Sequence, residues 1–106
     1  MRIVLDECLP IRLRFQFPEY ECVTVQYLQA KGLKDGPLLN KIAPGTDVLI
    51  TVDANLRWQQ NFKHFPQLSV ILLGAEDTDI KTLTALVPQI KKVLRSIKPG
   101  QFVVIE

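Results

Sequence analysis

The feature that most constrains this chain is a series of short, unbroken apolar runs, two of which stop on an aspartate. Arg2–Leu5 (RIVL) ends at Asp6-Glu7, and the run from Asp47 to Val52 (DVLITV) ends at Asp53. Glu21–Gln26 (ECVTVQ), Ser69–Leu73 (SVILL) and Phe102–Ile105 (FVVI) complete the set. Runs this short, rich in β-branched and aliphatic residues and lacking polar alternation, predict strands covered on both faces, as in a parallel sheet.

Helical patterns fill the intervals. Pro10 to Phe17 offers a proline at a helix start with Ile11, Leu13, Phe15 and Phe17 behind it. Asp35-Gly36-Pro37 precedes Leu38, Leu39, Ile42 and Ala43, which share one face at helical spacing, with Asp35 as N-cap or first-turn carboxylate. Asn55 to His64 carries Leu56, Trp58 and Phe62 in a poorer pattern. From Thr78 or Asp79 onward, Ile80, Leu83, Leu86, Val87, Ile90, Val93, Leu94 and Ile97 hold a single stripe, which Pro88 should kink or divide. Strand and helix in alternation predict an α/β fold: one three-layer sandwich over residues 1–106, mostly parallel. The expected strand order is 2-1-3-4, with the first strand central and the last at an edge.

The bulk properties exclude more than they select. A chain of 106 residues, 47% hydrophobic and 23% charged, fits one globular domain and leaves no room for a second core. Its net charge of +2 does not by itself announce a polyanionic partner. Cys8 and Cys22 lack any zinc-type spacing and are expected to be buried hydrophobes. MRIVLDE enters a strand at once, without an apolar signal region. The apolar runs fall far short of the ~20 residues that cross a bilayer, so a cytoplasmic protein without membrane contact is expected.

In an open parallel sheet, ligands bind beyond the carboxyl ends of the strands where connections diverge. Asp6 and Asp53 occupy two such ends, and with the first strand central they become neighbours, with Asp35 approaching from the same rim. Two carboxylates on strands ~4.8 Å apart repel by about 3 kcal/mol at an effective dielectric near 20. Such a cluster calls for a cation, a shared proton or a solvent gap. Mg²⁺ suits it, and the chemistry that follows is metal-assisted phosphodiester hydrolysis. The plainer alternatives are that Asp53 caps a helix, that Asp35 serves only a turn or cap, and that Glu7 is solvated. His64, the lone histidine, is expected at the surface or in packing.

These residues carry a resemblance. LDECLP resembles the LDENLP-type opening of small PIN-like domains, compact relatives of VapC toxins. LKDGPLLNKIAPGTDVLITVDANL resembles their next block, in which an Asp opens a helix and Thr-x-Asp closes a strand. VPQIKKVLRSIKPGQFVVIE resembles their helix, glycine turn and terminal strand, so the likeness spans nearly the whole chain. It implies a PIN-like ribonuclease holding Mg²⁺ or Mn²⁺ on Asp6, Asp35 and Asp53, with Glu7, Thr51 and Asn55 as supporting polar groups. It also implies a small antitoxin protein as partner. Two departures stand out: Asn55 and Leu56 replace an expected Asp-Phe, and Cys8 replaces a common Asn.

Arg57, Lys63, Lys91, Lys92 and Arg95 are the candidates for RNA phosphate contact, with a solvated helix face as the alternative for each. Trp58 is expected as a core or interface anchor rather than a base-stacking platform. Phe15, Phe17, Leu38 and Leu39 are the apolar candidates for a homodimer or antitoxin surface. Two other functional readings remain: a catalytically silent PIN-like binding module, and a receiver-like phosphoacceptor built on Asp6-Glu7, Asp53 and Lys98-Pro99. Against the latter, Lys98 precedes the final strand, and Gly74 stands where a hydroxyl residue is expected.

Overall fold

All five apolar runs become strands of one sheet. The computed structural model describes residues 1–54 and 62–106, except for the side chains of Asp35 and Phe62. The strands are β1 (Arg2–Leu5), β2 (Glu21–Thr24), β3 (Val48–Thr51), β4 (Ser69–Leu73) and β5 (Phe102–Ile105). They lie in the order β2-β1-β3-β4-β5, and every neighbouring pair is parallel. The absence of alternation in the sequence is explained by the packing. Ile3, Leu5, Val48, Ile50, Ile71 and Leu73 face one core cluster, while Val4, Leu49 and Val70 face another. Each side chain removed from water in this way contributes roughly 1.5–3 kcal/mol before entropy is counted.

Helices cover both faces. Helix α1 (Asp35–Ile42) brings Leu38, Leu39 and Ile42 against Val4, Leu49 and Val70. On the opposite face lie a six-residue 3-10 helix (Ile11–Gln16), α2 (Ile80–Thr84) and α3 (Val87–Leu94). The first of these is tighter than the α-helix its sequence suggested. Its apolar residues alternate too closely to share a face, so Leu13 and the following Phe17 are buried while Ile11 and Phe15 face water. The long C-terminal stripe is divided, not merely bent. Pro88 sits in the first turn of α3, where its missing N–H costs nothing, and Ala85-Leu86 separate the two helices.

Several boundaries differ from the sequence expectation for identifiable reasons. β2 stops at Thr24 because the Thr24 carbonyl accepts the Leu28 N–H at 3.2 Å and its hydroxyl accepts the Tyr27 N–H at 3.1 Å. That local turn takes Val25 and Gln26 out of the strand. α1 begins at Asp35 with Lys34 as N-cap, so Asp35 is a first-turn residue rather than the cap. Of the helix expected over 55–64, only the short 3-10 turn Phe62–His64 lies within the described residues. Phe17, Leu38 and Leu39 are core residues with almost no exposure, which removes them from any docking surface; Phe15 alone of that group is exposed, at 65%. Among the described residues no helix is long and apolar enough to cross a membrane.

This connectivity sets up the site. The link from β1 to β2 runs over one face through the 3-10 helix, and the link from β2 to β3 runs over the other through α1. The chain therefore diverges between β1 and β3, at the ends that carry Asp6 and Asp53.

Candidate functional site

Asp6 is the best-anchored side chain at this divergence. It follows β1 directly, is only 6% exposed, and its own N–H continues the ladder by donating to the Ile50 carbonyl at 3.0 Å. Its Oδ1 accepts the Glu7 N–H at 2.9 Å, and its Oδ2 accepts the Thr51 hydroxyl at 2.7 Å. The Cys8 thiol approaches the same Oδ2 at 3.6 Å. A carboxylate has about four acceptor positions. Both on Oδ2 are thus engaged, and Oδ1 keeps one for another partner.

Thr51 links the two acids. It is the last residue of β3 and is buried; its hydroxyl donates to Asp6 and accepts the Asp53 N–H at 3.0 Å. One hydroxyl therefore uses its donor on one aspartate and its acceptor on the backbone of the other. A β-branched residue with a polar arm suits this position, because its restricted χ1 limits where the hydroxyl can point. The Thr-x-Asp spacing supplies the geometry, because the residue two beyond a strand's last hydroxyl can fold its N–H back onto it.

Asp6 and Asp53 line one cavity of about 320 Å³, together with Glu7, Cys8, Leu33, Lys34 and Leu38. Lys34 and Leu38 belong to the start of α1, so the amino end of that helix opens onto the acids and brings the Asp35 backbone to the same rim. The carboxyl group of Asp35 lies outside the described residues, as do Asn55, Arg57 and Trp58. Among the described residues no three His, Cys, Asp or Glu side chains converge closely enough to hold a metal ion. Glu7 is half-buried rather than simply solvated: its Oε1 accepts the Gly32 N–H at 3.1 Å, tying the β1 end to the loop before α1.

The two cysteines behave differently. Cys22 packs against the core as expected, and burial pushes its thiol up to about 11. Cys8 is an exposed residue, contrary to the expectation of a buried hydrophobe, because it sits on the loop at the sheet end with its sulfur turned toward Asp6 and Thr51. Its thiol is also raised, first by desolvation and further by the neighbouring Asp6 charge, although a backbone contact at Val52 works the other way.

Among the described residues, the basic candidates Lys63, Lys91, Lys92 and Arg95 are not gathered at this rim. α3 follows α2 and returns the chain to the amino end of β5, carrying Lys91 and Arg95 toward that end of the sheet. There Lys91 pairs with Glu19, just ahead of β2, at 3.1 Å. Glu19 is held below the usual carboxylate range by its own backbone N–H and by Lys91, with Arg95 adding a weaker pull. Lys92 lies beside Val104 and Glu106 at the β5 edge. Lys63 is exposed next to His64, which shares a hollow with Asn40, Ala43 and Pro44 at the far end of α1. His64 is exposed, as expected. Among the described residues, Lys34 is the cation that lines the cavity with the acids. Its signal in the sequence was its place immediately before the helix-opening Asp35.

The parallel β4–β5 pairing also puts Lys98 at the amino edge, where Ser69 Oγ donates to its carbonyl at 2.6 Å. That is the wrong end for a phosphoacceptor lysine. No family model matches the chain, and neither a curated protein nor a solved structure shows a significant match to it.

Proposed function

We propose that this chain is a PIN-like, metal-dependent ribonuclease with Asp6 and Asp53 at its centre. The observation that carries the reading is the Thr51 hydroxyl, which fastens Asp6 and the Asp53 backbone to the mouth of one cavity at the divergence of β1 and β3. The parallel order with β1 inside the sheet agrees with it.

The donor set suits a hard divalent cation. Asp6 offers its remaining Oδ1 position, Asp53 lines the same cavity, and the Asp35 backbone stands at the rim, so these three acids would hold Mg²⁺ or Mn²⁺. When bound, the ion supplies charge neutralisation on a phosphodiester and lowers the pKa of a coordinated water. The protein's own part is positional. Thr51 and the Glu7 N–H fix the Asp6 carboxylate, Glu7 fastens the loop before α1, and Lys34 supplies a positive charge for an RNA phosphate at the cavity mouth. A small antitoxin protein is the partner this reading carries with it.

The test is cleavage of a mixed single-stranded RNA pool with Mn²⁺ or Mg²⁺. Asp6→Asn and Asp53→Asn are each expected to lower the rate by more than about 100-fold, beyond the ~10–100-fold typical of residues that only support a ligand. Wild-type protein that cuts nothing with either metal sinks the reading, as do variants that cut as well as wild type.

A second reading has its own observation. Asp6 already has three donors, and Asn55 stands where another acid is expected, so the acid could serve the fold in a silent binding module. Titration calorimetry with Mn²⁺ separates the two. Heat that Asp53→Ala abolishes supports the enzyme, and no heat from either protein supports the module.

A further inference from the structure

We propose, as a step that rests on the ribonuclease reading, that Glu7 is a positioning residue for RNA binding and not a metal ligand. It acts through its bond to Gly32, which sets the Leu33–Lys34 wall of the acidic cavity. Two adjacent acids, Asp6 and Glu7, line that cavity, and Leu33 and Lys34 line it from the loop before α1. The structure gives the two acids different work.

Asp6 is fixed from its own end of the sheet and keeps one Oδ1 acceptor position for another partner. Glu7 reaches across to the loop instead, where its Oε1 accepts the Gly32 N–H at 3.1 Å. Gly32 has φ +80°, and a Cβ there would meet nothing within 4 Å, so backbone conformation and not space calls for glycine at this contact. The remainder of the loop closes on itself. Ala30 N–H donates to the Val25 carbonyl at 3.0 Å, and Leu33 N–H to the Ala30 carbonyl at 3.2 Å. The Glu7 bond ties this closed loop to the end of β1, across 25 residues of sequence and just ahead of Leu33 and Lys34.

Electrostatics separates a strut from the alternatives by sign. A carboxylate in a cavity that receives a phosphodiester repels it, so by charge alone removing Glu7 should tighten RNA binding. A strut demands the reverse for a truncation. Glu7→Ala deletes the acceptor and frees the wall that carries Lys34, whose phosphate contact contributes affinity and salt dependence. Glu7→Gln loses the charge but keeps an acceptor oxygen at the same reach. A metal ligand predicts a third pattern, in which both substitutions weaken the metal.

Cleavage kinetics of single-stranded RNA with Mn²⁺ at several salt concentrations test the proposal, together with Mn²⁺ calorimetry and hydrogen exchange at the Gly32 amide. Glu7→Ala is expected to raise KM about ten-fold, with kcat and Mn²⁺ affinity within about two-fold of wild type. It should also flatten the salt dependence of kcat/KM by a slope of about 0.7, the share of one phosphate contact on a single strand. Glu7→Gln should recover most of the lost KM effect. The Gly32 amide should exchange faster in Glu7→Ala than in wild type or Glu7→Gln. Glu7→Ala combined with Lys34→Ala should be no worse than Lys34→Ala alone, because both remove the same contact. Mn²⁺ affinity that falls in both Glu7 variants makes Glu7 a ligand and overturns the proposal. So does a lowered KM in Glu7→Ala, or losses that add in the double variant. Wild type that cuts no RNA ends the ribonuclease reading and this step with it, whereas an active wild type matched by Glu7→Ala ends this step alone.

Discussion

At the scale of single residues, Thr51 decides how the acidic end is organised. Its hydroxyl touches both aspartate segments, one through a carboxylate and one through an N–H. Replacing it with valine preserves shape and removes both bonds, leaving Asp6 Oδ2 with the thiol alone. Thr51→Val should therefore lower unfolding stability by about 1–3 kcal/mol in urea titration, while Thr51→Ser retains most of it. A Thr51→Val protein as stable as wild type would mean that water replaces the hydroxyl without cost. Most of this was legible in the sequence. The stretch ITVD announces a strand end with a hydroxyl two residues before an acid. The Cys8 contact was not legible, since nothing in LDEC says that the thiol of an exposed residue turns back onto the preceding aspartate.

At the scale of elements, the turns between helices and strands divide into those that merely need a backbone conformation and those that also need space. Gly32 and Gly100 both have φ near +80°, at +80° and +77°. A Cβ on Gly32 meets nothing within 4 Å, whereas one on Gly100 would lie 2.9 Å from the Pro66 carbonyl oxygen. Gly32→Ala is expected to cost about 1 kcal/mol from left-handed strain alone. Gly100→Ala should cost distinctly more, because the α3–β5 turn must move away from the loop before β4. Chemical denaturation of the two variants side by side checks the order, and equal losses would contradict the close approach.

The strands were readable because continuous apolar runs have one economical solution, burial on both faces. Helix limits were less readable. The stripe from Ile80 to Ile97 is compatible with one helix, and only the preference of Pro88 for a first turn marks where it divides. Ile11, Leu13, Phe15 and Phe17 could not show which two faced the core until the 3-10 geometry was known.

At the scale of the whole molecule, the sheet's outer strand couples stability to alkaline pH. Cys22 keeps its proton to about pH 11 when folded, against the usual 9.0, because burial disfavours the thiolate. Below pH 9 both states hold the proton and this group adds no pH dependence. Between about 9 and 11 the unfolded chain releases it and the folded chain does not, so folding stability falls as pH rises. Melting temperatures across that interval should drop more steeply for wild type than for Cys22→Ala, which retains Cys8 in common. Parallel curves would show that Cys22 is not the group responsible.

The pairing of β1 with β3 has a consequence for when a working site can exist. Thr51 and Asp6 are 45 residues apart in sequence, and no local hairpin joins their strands. Closing so long a loop comes late, after its entropy has been met by other contacts, and parallel pairings of this kind are slow to form. A partly folded chain can therefore own its helices, its turns and most of its apolar clusters while the two acids are still strangers. Any readout of the joined acidic pocket doubles as a completeness check on the sheet, which a far-ultraviolet signal from the helices alone cannot provide.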